Sequence, residues 1–167
     1  FARRYPNSGY GGMFRQWFRK DDAPAYGSWG NGAPMRVSSV GWFARSLNEV
    51  DDLAESQSSA THDHPDAIDA SKAVARAIFM LSHGQSCLEV GAQIEREFRY
   101  DLSEGAIGGR RWFDISAKGL AQTCAIKGGD TDTLACIAGS VSEAMHGVPK
   151  AIEQQAKERL DPFLLSI

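Results

Sequence analysis

The chain has 167 residues, of which 43% are hydrophobic and 23% charged, and its formal net charge at pH 7 is −3. This length predicts a single domain over residues 1–167, and the nearly balanced charge disfavours nonspecific nucleic-acid binding, which requires a basic field. No uninterrupted apolar stretch reaches membrane-spanning length, and the first residues are unlike a signal peptide. Three cysteines without a CxxC pair predict a cytoplasmic protein.

Apolar residues recur at helical spacing in the first part of the chain. Met13, Phe14, Trp17 and Phe18 form an aromatic and apolar stripe that predicts a core-facing segment. From Val37 to about Glu55 the spacing predicts one helix, and its inward residues are Val40, Phe43, Leu47, Val50 and Ala54. Residues 56–66 are polar and rich in turn formers, which predicts a connection.

The strongest amphipathic pattern follows this connection. A helix is predicted with Ala70, Ala73, Val74, Ala77, Ile78 and Leu81 on its apolar side, and His83 and Gly84 close it. Ser86 and Glu89 have the spacing of a capping box for the next helix, which carries Val90, Ile94 and Phe98. Residues 103–112, with three glycines and two arginines, are predicted to be a loop.

The C-terminal part is also predicted to be helical. Leu134, Ile137, Ala138, Val141, Ala144 and Met145 predict a helix that buries most of its circumference. Pro149 stands near the first turn of a final helix, with Ile152, Ala156 and Leu160 inward. Because neither a convincing strand nor a hairpin turn signal stands out, the predicted class is all-α.

Oxygen-bearing side chains crowd the start of the helix that begins near residue 131. Asp130, Thr131, Asp132 and Thr133 follow two glycines. Two carboxylates this close repel each other unless a positive charge lies between them. Mg²⁺ or Ca²⁺, which take carboxylate, hydroxyl and water oxygens, would relieve that repulsion. An Asp N-cap with a second Asp in solvent explains the same residues, and the spacing favours neither interpretation.

A glycine-rich loop lies at residues 27–32. Gly27, Gly30 and Gly32 bracket Ser28, Trp29 and Asn31. Glycines let backbone amides approach a ligand, and consecutive free amides form an anion-binding concavity suited to phosphate. The Asn31 amide can both donate to and accept from sugar hydroxyls. A tight turn without a ligand explains the glycines alone, but the cluster of polar side chains favours a binding loop.

Two histidines and two aspartates occur at residues 61–66, just before the strongest amphipathic helix. Zinc is one interpretation, but the cysteines offer no further ligands at matched spacing. Pro65 fits the first helical turn, so that Asp63 or His64 fits the cap. A single histidine that hydrogen-bonds a ligand hydroxyl or phosphate is favoured over a transition metal. A hard-metal site, a phosphate-type loop and a histidine together suit hydrolysis of a nucleotide-like substrate.

Three segments taken together resemble the ADP-ribosylglycohydrolase family, and they occur in the family's order. They are residues 27–38, residues 61–65 and residues 129–134. The resemblance implies a compact orthogonal helical bundle with two Mg²⁺ ions. It implies metal ligation by Asp130, Asp132 and Thr133, with both aspartates catalytic. It further implies ligand binding by Ser28, Trp29, Gly30, Asn31, Gly32, Met35 and His62.

The sequence departs from the family pattern in two places. A Thr-Asp-Asp-Thr motif that supplies the other half of the family's metal ligands does not occur in it. We therefore expect the N-terminal part of the domain to be missing and only half of the magnesium ligands to be present. The passage from Ser116 to Gly128 is shorter than the family pattern, which predicts a gap near residues 119–120.

The resemblance implies a Mg²⁺-dependent hydrolase that removes ADP-ribose from modified protein side chains, with ADP-ribosyl-arginine as the first candidate. A non-catalytic ADP-ribose-binding module is the alternative, because half of the metal site is absent from the sequence. The expected partners are an ADP-ribosylated protein or ADP-ribose itself. We expect a monomer, without nucleic acid and without a membrane as partner.

Overall fold

The computed structural model describes residues 2–100, 102 and 131–166, together with the backbone of residues 106–107 and 110–111. The chain divides into two compact units, Phe1–Glu104 and Gly105–Ile167. The expectation of one domain, incomplete at its N-terminus, stays a prediction. The predicted gap near residues 119–120 lies outside the described residues.

The first unit is helical. Its elements are α1 (Gly12–Trp17), a 3-10 helix (Pro34–Arg36), α2 (Ser38–Phe43), α3 (Leu47–Ser59), α4 (Pro65–Ser82) and α5 (Cys87–Phe98). The second unit contains β1 (Ala106–Ile107), β2 (Arg110–Arg111), α6 (Thr131–His146), α7 (Lys150–Arg159) and α8 (Pro162–Leu165). The predicted all-α class is confirmed.

The two short strands correct the expectation that residues 103–112 form only a loop. They pair antiparallel, with Ala106 opposite Arg111 and Ile107 opposite Arg110. Two glycines connect the strands in the sequence, and a Gly-Gly pair is a known two-residue hairpin signal. With two residues per strand, this hairpin does not change the helical class.

Helix α4 is the centre of the first unit, and it packs against α2, α3 and α5. The core contains Val37, Ala44, Val50, Ala54 and Ala75, all buried. Helix α2 crosses α4 closely at Gly41. A Cβ atom at this position would lie 2.6 Å from Ile78 Cβ and 2.7 Å from the Ala75 carbonyl oxygen. Only glycine therefore allows this crossing without a backbone shift.

The single helix predicted from Val37 to Glu55 is wrong, because the chain breaks into α2 and α3. The Ser46 hydroxyl accepts a hydrogen bond from the Glu49 amide at 3.2 Å, and the Glu49 carboxylate accepts one from the Arg45 amide at 2.7 Å. These bonds satisfy free amides at the start of α3 and so favour a new helix there. The break also turns Phe43 outward. It is 84% exposed, so the predicted inward placement of this residue is wrong.

Arg76 connects three helices of the first unit. From α4 its guanidinium donates two hydrogen bonds to Asp51 on α3 and one to Glu97 on α5. The hydrogen bonds to Asp51 are the main cause that raises the pKa of Arg76, and burial opposes them. The guanidinium also lies 5.9 Å from the centroid of the Phe98 ring. These contacts connect both α3 and α5 to α4.

The remaining helix predictions have mixed outcomes. The α4 pattern and the Ser86–Glu89 capping box of α5 are confirmed. Phe18 is buried, but Met13 of the same stripe is exposed. Leu134 is 47% exposed, so the first turn of α6 is less buried than its apolar pattern predicts. Helix α7 has no buried residues, so the inward placement of Ala156 and Leu160 is wrong; its sequence is mostly charged and polar.

Candidate functional site

Thr61 and His62 lie in the connection from α3 to α4, and both side chains are buried, at 1% and 6% exposure. The Ser58 carbonyl fixes this connection, because it accepts hydrogen bonds from the amides of Thr61 at 3.1 Å and His62 at 2.7 Å. Helix α4 then begins at Pro65, with His64 as its N-cap. The His62 side chain is thus held between two rigid helices.

His64 has a structural role at the start of α4. Its Nδ1 accepts a hydrogen bond from the Asp66 amide at 3.2 Å, which confirms the cap predicted at Asp63 or His64. Within the part of the chain that the structure describes, no three histidine, cysteine or acidic side chains are arranged so that they could hold a metal ion. Zinc at residues 61–66 therefore has no support there.

The glycine-rich loop packs directly against this connection. The Gly27 amide donates to Asp63 Oδ1 at 2.7 Å, and Gly27 adopts a φ of +64°, in the left-handed region that favours glycine. At the other end of the loop, a Cβ atom on Gly32 would lie 3.0 Å from His62 Nε2. Gly32 therefore has no side chain because the His62 ring occupies that space.

The loop continues into the 3-10 helix through local backbone hydrogen bonds. The Asn31 carbonyl accepts from the Met35 amide at 3.1 Å, and the Ala33 carbonyl accepts from the Arg36 amide at 3.0 Å. Ala33 is fully buried, whereas Asn31 is exposed and Met35 half-buried. The 3-10 helix anchors the C-terminal end of the loop, and the Asn31 side chain remains accessible to a ligand.

The middle of the loop is open to solvent. Trp29 is 75% exposed, and its ring centroid lies 6.4 Å from that of His64. The Gly30 amide donates weakly to Ser28 Oγ at 3.4 Å. A wall position for Trp29 and Met35 and ligand contacts by Ser28 and Gly30 stay predictions.

A hydrogen-bonded chain of side chains supports His62 from behind. Arg36 Nη2 donates to Thr61 Oγ1 at 3.0 Å, and Thr61 Oγ1 lies 2.7 Å from His62 Nδ1. Burial and the positive charge of Arg36 lower the pKa of His62, whereas Asp63 opposes this effect. Tyr26 packs on the ring with centroids 5.9 Å apart. Burial and the Arg36 charge thus favour the neutral form of the imidazole.

The predicted metal ligands lie in the second unit. Asp132 and Thr133 belong to the first turn of α6, where Asp132 is exposed and Thr133 is buried. Burial first, and then the negative charge of Asp132, raise the pKa of the Cys136 thiol one turn further along. Asp130 lies outside the described residues.

The donor chemistry of these residues fits magnesium in kind. A carboxylate and a hydroxyl are hard oxygen ligands of the type that Mg²⁺ takes, but this ion requires several of them in near-octahedral geometry. Asp132 and Thr133 supply two such donors, and Asp130, the third predicted ligand, lies outside the described residues. Their roles as magnesium ligands stay predictions.

Sequence reasoning found the loop and His62 but missed the residues that support them. Asp63 bonds to Gly27, which lies 36 positions away in the sequence, and Arg36 bonds to Thr61, which lies 25 positions away. No spacing rule relates such distant residues. Thr61 directly precedes His62 in the sequence, and its hydroxyl is the one neighbouring group from which a hydrogen-bond partner of His62 could have been predicted.

Comparison with known proteins decides the family. The model of the ADP-ribosylglycohydrolase family matches residues 1–116, which include the glycine-rich loop and the His62 segment. The chain belongs to this family. The match supports a glycohydrolase of the ADP-ribosyl type, and it ends before the first turn of α6.

Two further comparisons add nothing to this assignment. No curated protein and no solved structure matches the ADP-ribosylglycohydrolase chain. Among the residues that the structure describes, none of the helices combines the length and the apolar character needed to cross a bilayer.

Proposed function

We propose that the chain is a Mg²⁺-dependent hydrolase that releases ADP-ribose from modified protein side chains. The observation that carries this proposal is the glycine-rich loop held against the buried His62, within the segment that matches the family model. Loop amides and a nearby neutral histidine provide hydrogen-bond donors for the diphosphate and ribose of an ADP-ribosyl group. Ser28, Gly30, Asn31 and Gly32 are the proposed contacts.

His62 would act as a hydrogen-bond donor, because a neutral imidazole carries one N–H. Its burial in the connection between α3 and α4 keeps the ring in one orientation. Asn31 would contact ribose hydroxyls, since its exposed amide both donates and accepts. Trp29 and Met35 would flank the ligand as apolar walls. The backbone of the loop is anchored by Asp63 at one end and by the 3-10 helix at the other, which holds these side chains in place for a ligand.

Asp130, Asp132 and Thr133 would hold their share of the magnesium ligands, with both aspartates as the catalytic carboxylates. When bound, Mg²⁺ polarises substrate oxygens and positions water. The carboxylate of Asp132 is exposed at a helix start, where it is accessible to a cation. Further oxygen ligands would complete the site, since Mg²⁺ requires near-octahedral coordination.

ADP-ribosyl-arginine is the first substrate to test, because the family that the chain resembles includes ADP-ribosyl-arginine hydrolases as well as ADP-ribosyl-serine hydrolases. The assay measures free ADP-ribose from peptides modified on arginine or on serine, with Mg²⁺ or with a chelator. We expect release from the arginine peptide that requires Mg²⁺.

Asp132→Asn should abolish release, whereas Asp52→Asn, an exposed aspartate on α3, serves as the matched control and should not. Undiminished turnover by Asp132→Asn would refute the metal assignment. Binding of ADP-ribose without any product, independent of Mg²⁺, would favour the non-catalytic module instead.

A further inference from the structure

The two ring nitrogens of His62 have different surroundings. Nδ1 lies 2.7 Å from the Thr61 hydroxyl, behind the ring. Nε2 lies on the side of Gly32, where a Cβ atom would be 3.0 Å away, and it has no hydrogen-bond partner within the described part of the chain. A neutral imidazole carries one proton, so the partner of Nδ1 decides whether Nε2 is a donor or an acceptor.

The hydrogen-bonding capacity of Thr61 restricts the choice. A hydroxyl has one hydrogen and two lone pairs, and a guanidinium can only donate. Arg36 Nη2, at 3.0 Å, therefore occupies one lone pair of Thr61 Oγ1. Tyr26 also hydrogen-bonds with the Thr61 hydroxyl, and its phenol O–H, which stays protonated because burial raises the pKa of Tyr26, fills the second lone pair when it donates. A hydroxyl that accepts from a cation is a stronger donor, because hydrogen bonds in a chain polarise one another. With both lone pairs of Thr61 filled, its hydroxyl hydrogen is left for Nδ1 at 2.7 Å.

We propose that Thr61, held by Arg36, is a positioning residue that donates its hydroxyl hydrogen to His62 Nδ1 and thereby keeps the ring proton on Nε2. The Nε2–H then points to the Gly32 side of the loop, where it donates to an oxygen of a bound ADP-ribosyl group. This role deepens the proposed function and depends on it for the identity of the ligand. The ring tautomer itself depends only on the free chain.

The surroundings of His62 keep the ring neutral, as this role requires. The charged and titratable groups that act on it are Arg36, Asp63 and Tyr26. Burial and the guanidinium lower the pKa of His62 more than Asp63 raises it. A protonated ring would lose the Thr61 O–H···Nδ1 hydrogen bond, so the arrangement also weakens as pH falls.

The experiment has two readouts on the 15N-labelled chain. NMR of the imidazole nitrogens reports the tautomer of each of the four histidines, and the His62 signals are assigned by their loss in His62→Gln. Calorimetry reports the affinity for ADP-ribose in the presence of Mg²⁺. The variants are Thr61→Val, which removes the hydroxyl, and Thr61→Ser, which keeps it.

Ser71→Ala provides a matched control. Ser71 is a fully buried hydroxyl on α4 that donates to the Ala67 carbonyl, away from the loop. Its loss should lower the melting temperature without changing the His62 tautomer or the affinity. This control separates a general loss of stability from a specific effect on the ring.

We expect protonated Nε2 and unprotonated Nδ1 in the wild-type chain and in Thr61→Ser. Thr61→Val should give a mixture of tautomers and weaken ADP-ribose binding about tenfold, which corresponds to roughly 1.4 kcal/mol. A protonated Nδ1 in the wild-type chain overturns the proposal, and this measurement requires no variant to fold. An unchanged tautomer or unchanged affinity in folded Thr61→Val overturns it equally.

Failure of the wild-type chain to bind ADP-ribose would count against the proposed function. The ring nitrogens of the free chain would then still decide the role of Thr61 towards His62. The two hypotheses therefore fail by different measurements.

Discussion

Replacement of Gly41 by alanine should destabilise the first unit at the crossing of α2 and α4. The added Cβ would lie 2.6 Å from Ile78 Cβ and 2.7 Å from the Ala75 carbonyl oxygen, well inside the usual contact distance of about 3.5–4.0 Å. Ala75 is fully buried, so α4 has little room to move away. Overpacking of this kind costs about 1–3 kcal/mol, and the better helix propensity of alanine returns up to about 1 kcal/mol. Because both contacts are under 3.0 Å and one is to a backbone atom, the cost should lie at the upper end, about 3 kcal/mol, which leaves a net loss of about 2 kcal/mol.

Thermal unfolding followed by circular dichroism measures this loss. For a chain of this size, about 2 kcal/mol lowers the melting temperature by roughly 4–8 °C. Gly91→Ala in α5 is the matched control, because none of the described atoms lies within 4 Å of its added Cβ. That variant should raise the melting temperature by a few degrees. If Gly41→Ala is as stable as the wild type or more so, the close crossing of α2 and α4 is wrong.

Three further predictions concern the site and the helix contacts. Gly32→Ala should weaken ADP-ribose binding about tenfold by calorimetry while the circular dichroism spectrum stays unchanged, because the new Cβ meets only the His62 ring at 3.0 Å; equal affinity would contradict the packing of loop and ring. Arg76→Met should lower the urea-unfolding free energy by about 2 kcal/mol, since Asp51 and Glu97 lose charge-assisted hydrogen bonds, and a neutral result would mean that these pairs contribute nothing. The folded-state pKa of His62 is lowered from 6.5, so the unfolded chain binds more protons below pH 6.5, and the free energy of unfolding should decrease as the pH is lowered through this range. His62→Gln should flatten this part of the profile of urea midpoint against pH. An identical slope in the variant would show that His62 is not responsible.

The helices that the sequence predicts best are those whose ends carry their own signals. Ser86 and Glu89 satisfy free amides within four residues of each other, and α5 begins where they predict. Ser46 and Glu49 form the same kind of signal at the start of α3. The apolar spacing of Val40, Phe43 and Leu47 nevertheless predicts one continuous helix. Apolar spacing gives no information on where the backbone hydrogen bonds of one helix end and those of the next begin.

The candidate site was predictable only in part, for a related reason. The glycines and His62 are local features, and their residue types indicate a binding loop on their own. The contacts that place them, such as the Gly27 amide on Asp63, join distant residues through the packing of α3 and α4. Sequence spacing carries no information on such contacts. The metal-ligand roles of Asp130, Asp132 and Thr133 stay predictions.

The central claim is that the chain binds and hydrolyses an ADP-ribosyl group with the help of magnesium. The most direct test incubates the chain with a peptide ADP-ribosylated on arginine and quantifies free ADP-ribose over time, with Mg²⁺ and with excess chelator. Release that requires Mg²⁺ and is lost in Asp132→Asn is the predicted result. Absence of release under every condition, together with no ADP-ribose binding by calorimetry, would contradict the claim.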